Sequence, residues 1–211
     1  MGIGNRPGKY GVRLTDGDAR ARNGPHMRLT GGMDRGRKLR APRGSGTRPT
    51  ASRVREAIFN ILGPAPEAPV LDLFAGTGAL GIEALSRGAA KAVFVERDQR
   101  ALAALARNLK ELEFSDRAVI VGAKVQAGIA RLADSPDRFA WVFVDPPYAG
   151  SDAEQTLAAL ADGAILAPGA VIVVEHDKRN VPPDQAGALY LADRRFYGDT
   201  GVSFYRATGI A

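Results

Sequence analysis

Residues 70–88 read VLDLFAGTGALGIEALSRG, an apolar run that passes through closely spaced glycines into a helical pattern. Gly76, Gly78 and Gly81 fit the spacing G-x-G-x-x-G between a predicted strand and a predicted helix. Glu96 ends the next apolar run, 20 residues beyond Gly76. In this context glycines let a ligand approach the backbone, and an acid at the second strand end binds ribose hydroxyls. The stretch therefore predicts a βαβ unit that binds a nucleotide-like cofactor.

Outward from this unit, strand-like apolar runs alternate with helical patterns along the chain. The predicted strands read VLDLF, AVFVE, AVIV, WVFVD and AVIVVE, and the predicted helices cover 79–88, 98–112, 124–133 and 152–160. Two more strand-like runs flank a Gly-rich turn in the tail ALYLADRRFYGDTGVSFYR. This alternation predicts an α/β fold with helices on both faces of a mostly parallel sheet. Seven strands with an antiparallel C-terminal hairpin resemble the Rossmann-like class I methyltransferase fold.

The charge of the chain is divided unevenly along its length. Residues 1–55 hold 14 Lys and Arg against 3 Asp and Glu, a net charge of +11, whereas the remainder carries −5. Clustered basic side chains release counterions on binding phosphates, which predicts a nucleic-acid contact surface, with a solubilising tail as the alternative.

The chain has no Cys, which excludes disulfides and cysteine metal sites. It has no long apolar run, so we expect no membrane span and a cytoplasmic location.

Asp72, at the end of the first predicted strand, helps to separate two cofactors that the glycine loop fits equally well. A dinucleotide carries a pyrophosphate, which a nearby carboxylate repels. S-adenosylmethionine has no phosphate and carries an ammonium and a sulfonium group. Asp72 therefore favours S-adenosylmethionine over NAD, unless the carboxylate only caps the turn through backbone bonds.

The fourth predicted strand ends in Asp145-Pro146-Pro147-Tyr148. Ligands of open α/β sheets bind at the carboxyl ends of strands, so this tetrad faces the same crevice as the glycine loop. The two prolines fix the backbone and remove two N–H donors, which leaves carbonyl acceptors beside a carboxylate and an aromatic ring. A Pro-rich turn with an N-capping Asp is the alternative interpretation.

The tetrad suits an exocyclic amine, whose lone pair is delocalised into its ring. If the Asp145 carboxylate and the Pro146 carbonyl accept the two N–H bonds, the lone pair points at the methyl group. Tyr148 can stack on a flipped-out base. The expected chemistry is a direct displacement that depends on positioning and needs no metal. The absence of Cys argues against C5-pyrimidine methylation, which normally needs a thiol nucleophile.

These motifs together resemble one family. From Met27 to about Arg206 the chain is similar to the RsmD-type 16S rRNA guanine-N2 methyltransferases of bacteria. The resemblance rests on MRLTGGMDRGRKLRAP, TRPTASRVREAIFNIL, LDLFAGTGALGIEALSRGA, VFVERD and FVDPPY. The second motif discriminates best, because variants of the last occur in many amino-methyltransferases. Adenine-N6 and glutamine relatives generally carry Asn at the position of Asp145, and a carboxylate, unlike an amide, only accepts hydrogen bonds.

The resemblance implies S-adenosylmethionine as the cofactor and 16S rRNA or the 30S particle as the partner of a monomeric enzyme. We expect a cofactor site formed by Asp72, Phe74, Gly76, Thr77, Gly78, Glu96 and Arg97. We expect an RNA-binding surface formed by Arg35, Arg37, Lys38, Arg40, Arg48 and Arg53. Methyltransferases of this kind often carry an Asp or Asn after the third strand for the adenine amine, but Ala123 and Lys124 stand there in this chain.

Three segments follow from these assignments. Residues 1–26 lack periodicity and are interpreted as a disordered extension or a tag. Residues 27–63 form a basic arm with a Gly-Gly turn and a helix that starts at Thr50. Residues 64–211 form the methyltransferase domain. The alternatives to a guanine-N2 enzyme are an adenine-N6 methyltransferase of DNA or RNA, a non-catalytic RNA-binding assembly factor and an NAD-dependent oxidoreductase.

Overall fold

The fold was analysed in a computed structural model that describes residues 26–40, 49–147 and 151–208. The predicted extension, apart from its last residue, lies outside these ranges, as do the predicted site residues Arg48 and Tyr148. The described residues form an N-terminal hairpin, five helices and one large sheet.

The strands and helices follow the predicted alternation closely. The strands are β1 (His26–Arg28), β2 (Lys38–Arg40), β3 (Val70–Leu73), β4 (Ala92–Glu96), β5 (Ala118–Gly122), β6 (Phe139–Val144), β7 (Leu166–Asp177), β8 (Gln185–Ala186), β9 (Leu189–Tyr197) and β10 (Thr200–Ala207). The helices are α1 (Pro49–Leu62), α2 (Ala79–Ser86), α3 (Gln99–Glu111), α4 (Val125–Ala133) and α5 (Asp152–Leu160). Helix α1 starts one residue before the predicted Thr50, and Pro is favoured at this first position because its missing N–H has no helical partner.

The large sheet has the strand order β5-β4-β3-β6-β7-β10-β9-β8. The first five strands in this order are parallel, and β10 and β9 pair antiparallel at the far side, as the sequence predicted. The predicted count of seven strands is one too low, because the two-residue β8 adds to the edge of β9. A strand of two residues is too short to produce an alternating pattern that sequence could reveal.

Two hydrophobic clusters cover the two faces of the sheet. One cluster lies under α1, α2 and α3 and includes Leu29 and Leu39 of the hairpin. The other lies under α4 and α5. Phe59 of α1 packs against Trp141 and Phe143 of β6, with ring centroids 6.0 and 5.5 Å away. The hairpin and α1 thus share a core with the sheet, and the boundary placed at residue 64 stays a prediction.

A buried carboxylate on α2 connects the hairpin, α1 and the sheet. Glu83 is 0% exposed and accepts hydrogen bonds from the Thr30 backbone N–H at 2.9 Å and the Thr30 hydroxyl at 2.7 Å. Its carboxylate also accepts from the Nε atoms of Arg55 at 3.2 Å and Arg87 at 3.0 Å. Arg55 in turn donates to the Arg28 carbonyl. Burial lowers the pKa of Arg55, and the charge of Glu83 opposes this shift.

We expect Glu83→Gln to lower the free energy of unfolding by about 3 kcal/mol, because it leaves the buried Arg55 cation without its counter-charge. Urea denaturation followed by circular dichroism measures the change. The matched control is Glu111→Gln, which removes a half-exposed partner of Arg40 at 2.9 Å. The control substitution should lower the free energy of unfolding by less than about 1 kcal/mol. Equal losses of unfolding free energy in the two variants would show that the contacts of Glu83 do not stabilise the packing of the hairpin and α1 against the sheet.

Candidate functional site

A cavity of about 290 Å³ opens at the carboxyl ends of four adjacent parallel strands. Phe74 follows β3, Glu96 and Arg97 lie at the end of β4, and Asp145 follows β6, and all four line this cavity. Lys124, after β5, completes the row of strand ends. The structure therefore brings the glycine-loop strand and the tetrad strand to one site, as the topology of open α/β sheets requires.

The three fingerprint glycines have different roles. A Cβ on Gly76 would lie 3.9 Å from its nearest neighbour, the Phe74 carbonyl oxygen, so this backbone faces open space where a ligand can approach. A Cβ on Gly78 would lie 2.4 Å from Leu105, and one on Gly81 would lie 2.3 Å from Phe94. The second and third glycines therefore let the loop and α2 pack closely against α3 and β4. Gly76 also has a φ of +55°, a conformation that favours glycine.

The Asp72 carboxylate holds the loop rather than lining the cavity. It is 2% exposed and accepts the Gly81 backbone N–H at 2.8 Å. Burial raises the pKa of Asp72 to about 8, with a further contribution from the charge of Glu96. The backbone bond is the turn-capping contact that the sequence left open as an alternative. A direct contact of Asp72 with a cofactor stays a prediction.

Glu96 connects the first glycine to the end of β4. Its Oε1 accepts the backbone N–H groups of Arg97 at 2.7 Å and Asp98 at 2.8 Å. Its Oε2 accepts the Gly76 N–H at 2.8 Å. A carboxylate oxygen has two lone-pair sites, so Oε2 can accept a second donor such as a ribose hydroxyl. The carboxylate is thus held in a fixed orientation at the mouth of the cavity.

Asn108 links the hairpin to the cofactor loop, and sequence reasoning did not identify it. This side chain on α3 is 1% exposed. Its Oδ1 accepts the Arg40 backbone N–H at 2.8 Å, and its Nδ2 donates to the carbonyls of Arg40 at 3.1 Å and Thr77 at 3.0 Å. The available signal was a polar residue on the apolar face of a helix, between Leu105 and Leu109.

Asp145 belongs to a row of carboxylates, which also includes Asp72 on β3 and Glu175 on β7. The Asp145 side chain is half-buried where it lines the cavity. Burial, followed by the charges of Glu175 and Asp72, raises the pKa of Asp145 well above its ordinary value. Pro146 is buried behind it and Pro147 lines the cavity. A cation that enters this site would relieve the repulsion among the carboxylates.

The predicted RNA-binding residues that the structure describes lie on the hairpin and α1. Arg35, Lys38 and Arg53 are exposed. Arg37 and Arg40 form ion pairs with neighbouring carboxylates at 2.8 and 2.9 Å. Such exposed pairs contribute little, so these two side chains can exchange a carboxylate for a phosphate at small cost.

Comparison with known proteins places the chain in a family. The family described as Conserved hypothetical protein 95 matches residues 27–206. Ribosomal RNA small subunit methyltransferase D of Escherichia coli strain K12 is 39% identical over 85% of this chain and 89% of its own length. The chain belongs to the RsmD family. This confirms the resemblance on which the sequence analysis relied.

Solved structures agree with the family assignment. The RsmD-family chain matches the structure of the E. coli protein yhhF with a TM-score of 0.75 and 37% identity, over 87% of this chain and 98% of that one. It also matches SMU.776, which is named as a methyltransferase and was solved in complex with SAH. The TM-score is 0.62, and the match covers 76% of this chain and 50% of that one. At 16% identity the second likeness concerns the fold alone.

The described ranges contain neither a membrane-spanning helix nor a cluster of metal-binding side chains. None of the helices there combines the length and apolar character needed to cross a bilayer. The same residues contain no group of three or more His, Cys, Asp or Glu side chains arranged to hold a metal ion.

We expect Asn108→Ala to weaken binding of S-adenosylhomocysteine about fivefold, because Thr77 loses the donor that fixes the loop and a lost buried hydrogen bond costs about 1 kcal/mol. Isothermal titration calorimetry measures the affinity. Asn60→Ala on the exposed side of α1 is the control and should leave the affinity unchanged. An Asn108→Ala affinity equal to that of the control would contradict a role in positioning the loop.

Proposed function

We propose that the chain transfers a methyl group from S-adenosylmethionine to the exocyclic N2 amine of a guanine in 16S rRNA. The observation that carries this proposal is the position of Asp145. Its carboxylate lines the same cavity as Glu96 and adjoins the buried Pro146, so an amine acceptor and a ribose acceptor share one site. The names of relatives in the family, which specify methylation of small-subunit rRNA, support it.

The residues of the site fit S-adenosylmethionine. Gly76 offers open backbone, and Glu96 has acceptor capacity for a ribose hydroxyl. The raised pKa values of Asp72 and Asp145 would fall beside a cationic ligand and rise further beside the pyrophosphate of NAD. The two acids therefore favour S-adenosylmethionine and argue against the oxidoreductase alternative. Bound S-adenosylmethionine supplies an electrophilic methyl group on a sulfonium. Ala123 and Lys124 carry no acidic or amide side chain for the adenine amine, so we expect backbone groups to recognise it.

The Asp145 carboxylate and the Pro146 carbonyl would orient the amine. Accepting both N–H bonds directs the nitrogen lone pair towards the methyl group. A C–N bond forms as the methyl–sulfur bond breaks, and the nitrogen then loses one proton, for which Asp145 is the adjacent acceptor. Orientation of two reactants is a large part of the acceleration in such a displacement.

The hairpin and α1 would hold the RNA through its phosphates. Arg35, Lys38 and Arg53 are exposed and free to approach a backbone, and binding should weaken with salt. We propose 16S rRNA or the small-subunit particle as the partner, bound by a monomer of this chain in the cytoplasm. The names of the relatives specify small-subunit rRNA. Arg48 and Tyr148 keep their proposed roles in RNA binding and base stacking.

Two alternatives are less well supported. An adenine-N6 methyltransferase is disfavoured because Asp145 stands where such enzymes generally carry Asn. A non-catalytic assembly factor has no need for a carboxylate that is held at raised pKa in a cofactor-sized cavity.

Asp145→Asn should lower the rate of methyl transfer at least 100-fold, because an amide cannot take up the proton that the methylated nitrogen releases. Its affinity for S-adenosylhomocysteine should stay within about threefold of the wild type. The substrate is small-subunit particles from a strain that lacks the enzyme, with naked 16S rRNA assayed in parallel. Asp134→Asn, exposed at the end of α4, is the control. Wild-type activity in Asp145→Asn would refute the mechanism.

The pH dependence of methyl transfer should report the ionisation of Asp145. The pKa is raised, so the accepting, ionised form is lost as pH falls through a value well above the ordinary aspartate pKa of about 3.9. The acid limb of kcat/KM, measured with saturating cofactor, should therefore lie far above pH 4. A rate that is constant down to pH 4 would contradict an essential ionised Asp145.

A further inference from the structure

The carboxylate row spans three neighbouring strands on one face of the sheet. Alternate residues of a strand share a face, so each acid lies on the same side as the residue two positions before it. Those preceding residues are Val70, Phe143 and Val173, and all belong to the cluster under α1, α2 and α3. Asp145 and Glu175 therefore lie side by side near the carboxyl ends of β6 and β7 on the α1 side. Asp72 is on the same face of β3 but two residues lower, because it pairs with Phe143.

The members of the row have different positions relative to the cofactor loop. Asp72 is bonded to the start of α2, beside that loop. Asp145 lines the cavity. Val144 pairs with Val174 across β6 and β7, so Glu175 is the next-strand neighbour of Asp145, at a strand spacing of about 4.8 Å. In the strand order β3-β6-β7, Glu175 lies on the side of Asp145 away from β3, the strand that leads into the glycine loop.

A buried cation on α1 interacts with Glu175. Arg55 of α1 interacts electrostatically with both Glu83 and Glu175. Glu175 is half-buried, and on its other side it adjoins Val202 of β10 in register. The strand positions and this cation together place a negatively charged acceptor next to Asp145, and the mechanism proposed above does not use it.

Guanine and adenine differ at the ring nitrogen beside their amines. Guanine has an N1–H donor next to N2, whereas adenine has an N1 lone pair next to N6. We propose that Glu175 accepts the N1–H of the target guanine while Asp145 and the Pro146 carbonyl accept its amine hydrogens. An ionised carboxylate cannot donate a hydrogen bond. The N1 lone pair of adenine and the Glu175 carboxylate would therefore be two acceptors facing each other with no hydrogen between them. Glu175 is thus a specificity-determining residue of the proposed function, on which this inference rests.

The test uses 2-aminopurine, which keeps the N2 amine but has an N1 lone pair in place of N1–H. Small-subunit particles are reconstituted from 16S rRNA that carries guanine or 2-aminopurine at the methylated position. We expect the wild type to prefer guanine by about tenfold to 100-fold in kcat/KM, the value of one good base-edge contact. In Glu175→Gln the amide can donate to N1, so the preference should fall at least tenfold.

Two further variants and a pH profile separate this role from a structural one. Glu175→Asp keeps an acceptor and should retain the preference for guanine even if the rate falls. Glu67→Gln, exposed before β3, should behave as the wild type. Glu175→Gln also removes the charge beside Asp145, so the acid limb of kcat/KM on guanine should move to lower pH. Cofactor affinity shows that each variant is folded.

The outcomes distinguish this inference from the function on which it rests. If the wild type methylates guanine but Glu175→Gln keeps the full preference and an unmoved acid limb, the role of Glu175 is refuted and the proposed function stands. If Glu175→Gln lowers kcat/KM equally for the guanine and the 2-aminopurine substrates, the role of Glu175 is structural and the inference is also refuted. If the wild type transfers no methyl group to guanine N2, the proposed function fails and this inference fails with it.

Discussion

The Glu83 carboxylate is the interaction on which the arrangement of this chain depends. It is fully buried on α2, the helix that the glycine loop introduces, and it binds Thr30 of the hairpin and Arg55 of α1. A buried ion pair gives little net stability, but the loss of one partner is costly, so such a pair favours one geometry over others. Here that geometry fixes the basic hairpin and α1 against the cofactor-binding half of the sheet. Asn108 adds a second link, from the hairpin to the loop itself.

The site has the opposite electrostatic character. The hairpin presents cations to solvent, whereas in the site burial, followed by the charges of neighbouring carboxylates, raises the pKa values of Asp72 and Asp145. A row of buried acids is unfavourable without a cation nearby, and this is the environment that a sulfonium ligand would stabilise. Arg55 connects the two regions, because it donates to the hairpin backbone and interacts electrostatically with Glu175. Helix α1 can therefore align the basic hairpin with the carboxylates of the site.

Local patterns in the sequence predicted most of the fold and part of the site. The glycine loop, the alternating strands and the helices between them are encoded in neighbouring residues, and the structure has them where they were expected. The roles of Glu83 and Glu175 depend on which strands and helices become neighbours, and a helical or strand pattern does not contain that information. Gly78 was assigned to cofactor binding, but its missing Cβ is also required by the contact with Leu105, a residue distant in sequence.

Nucleoside analysis of 16S rRNA tests the central claim most directly. Ribosomal RNA from a strain that lacks this protein is digested and compared by mass spectrometry with that of the parent and of the strain complemented with the intact chain. The account predicts that one N2-methylguanosine is absent in the deletion strain and restored by complementation. An unchanged N2-methylguanosine content, or the loss of an N6-methyladenosine instead, would contradict it.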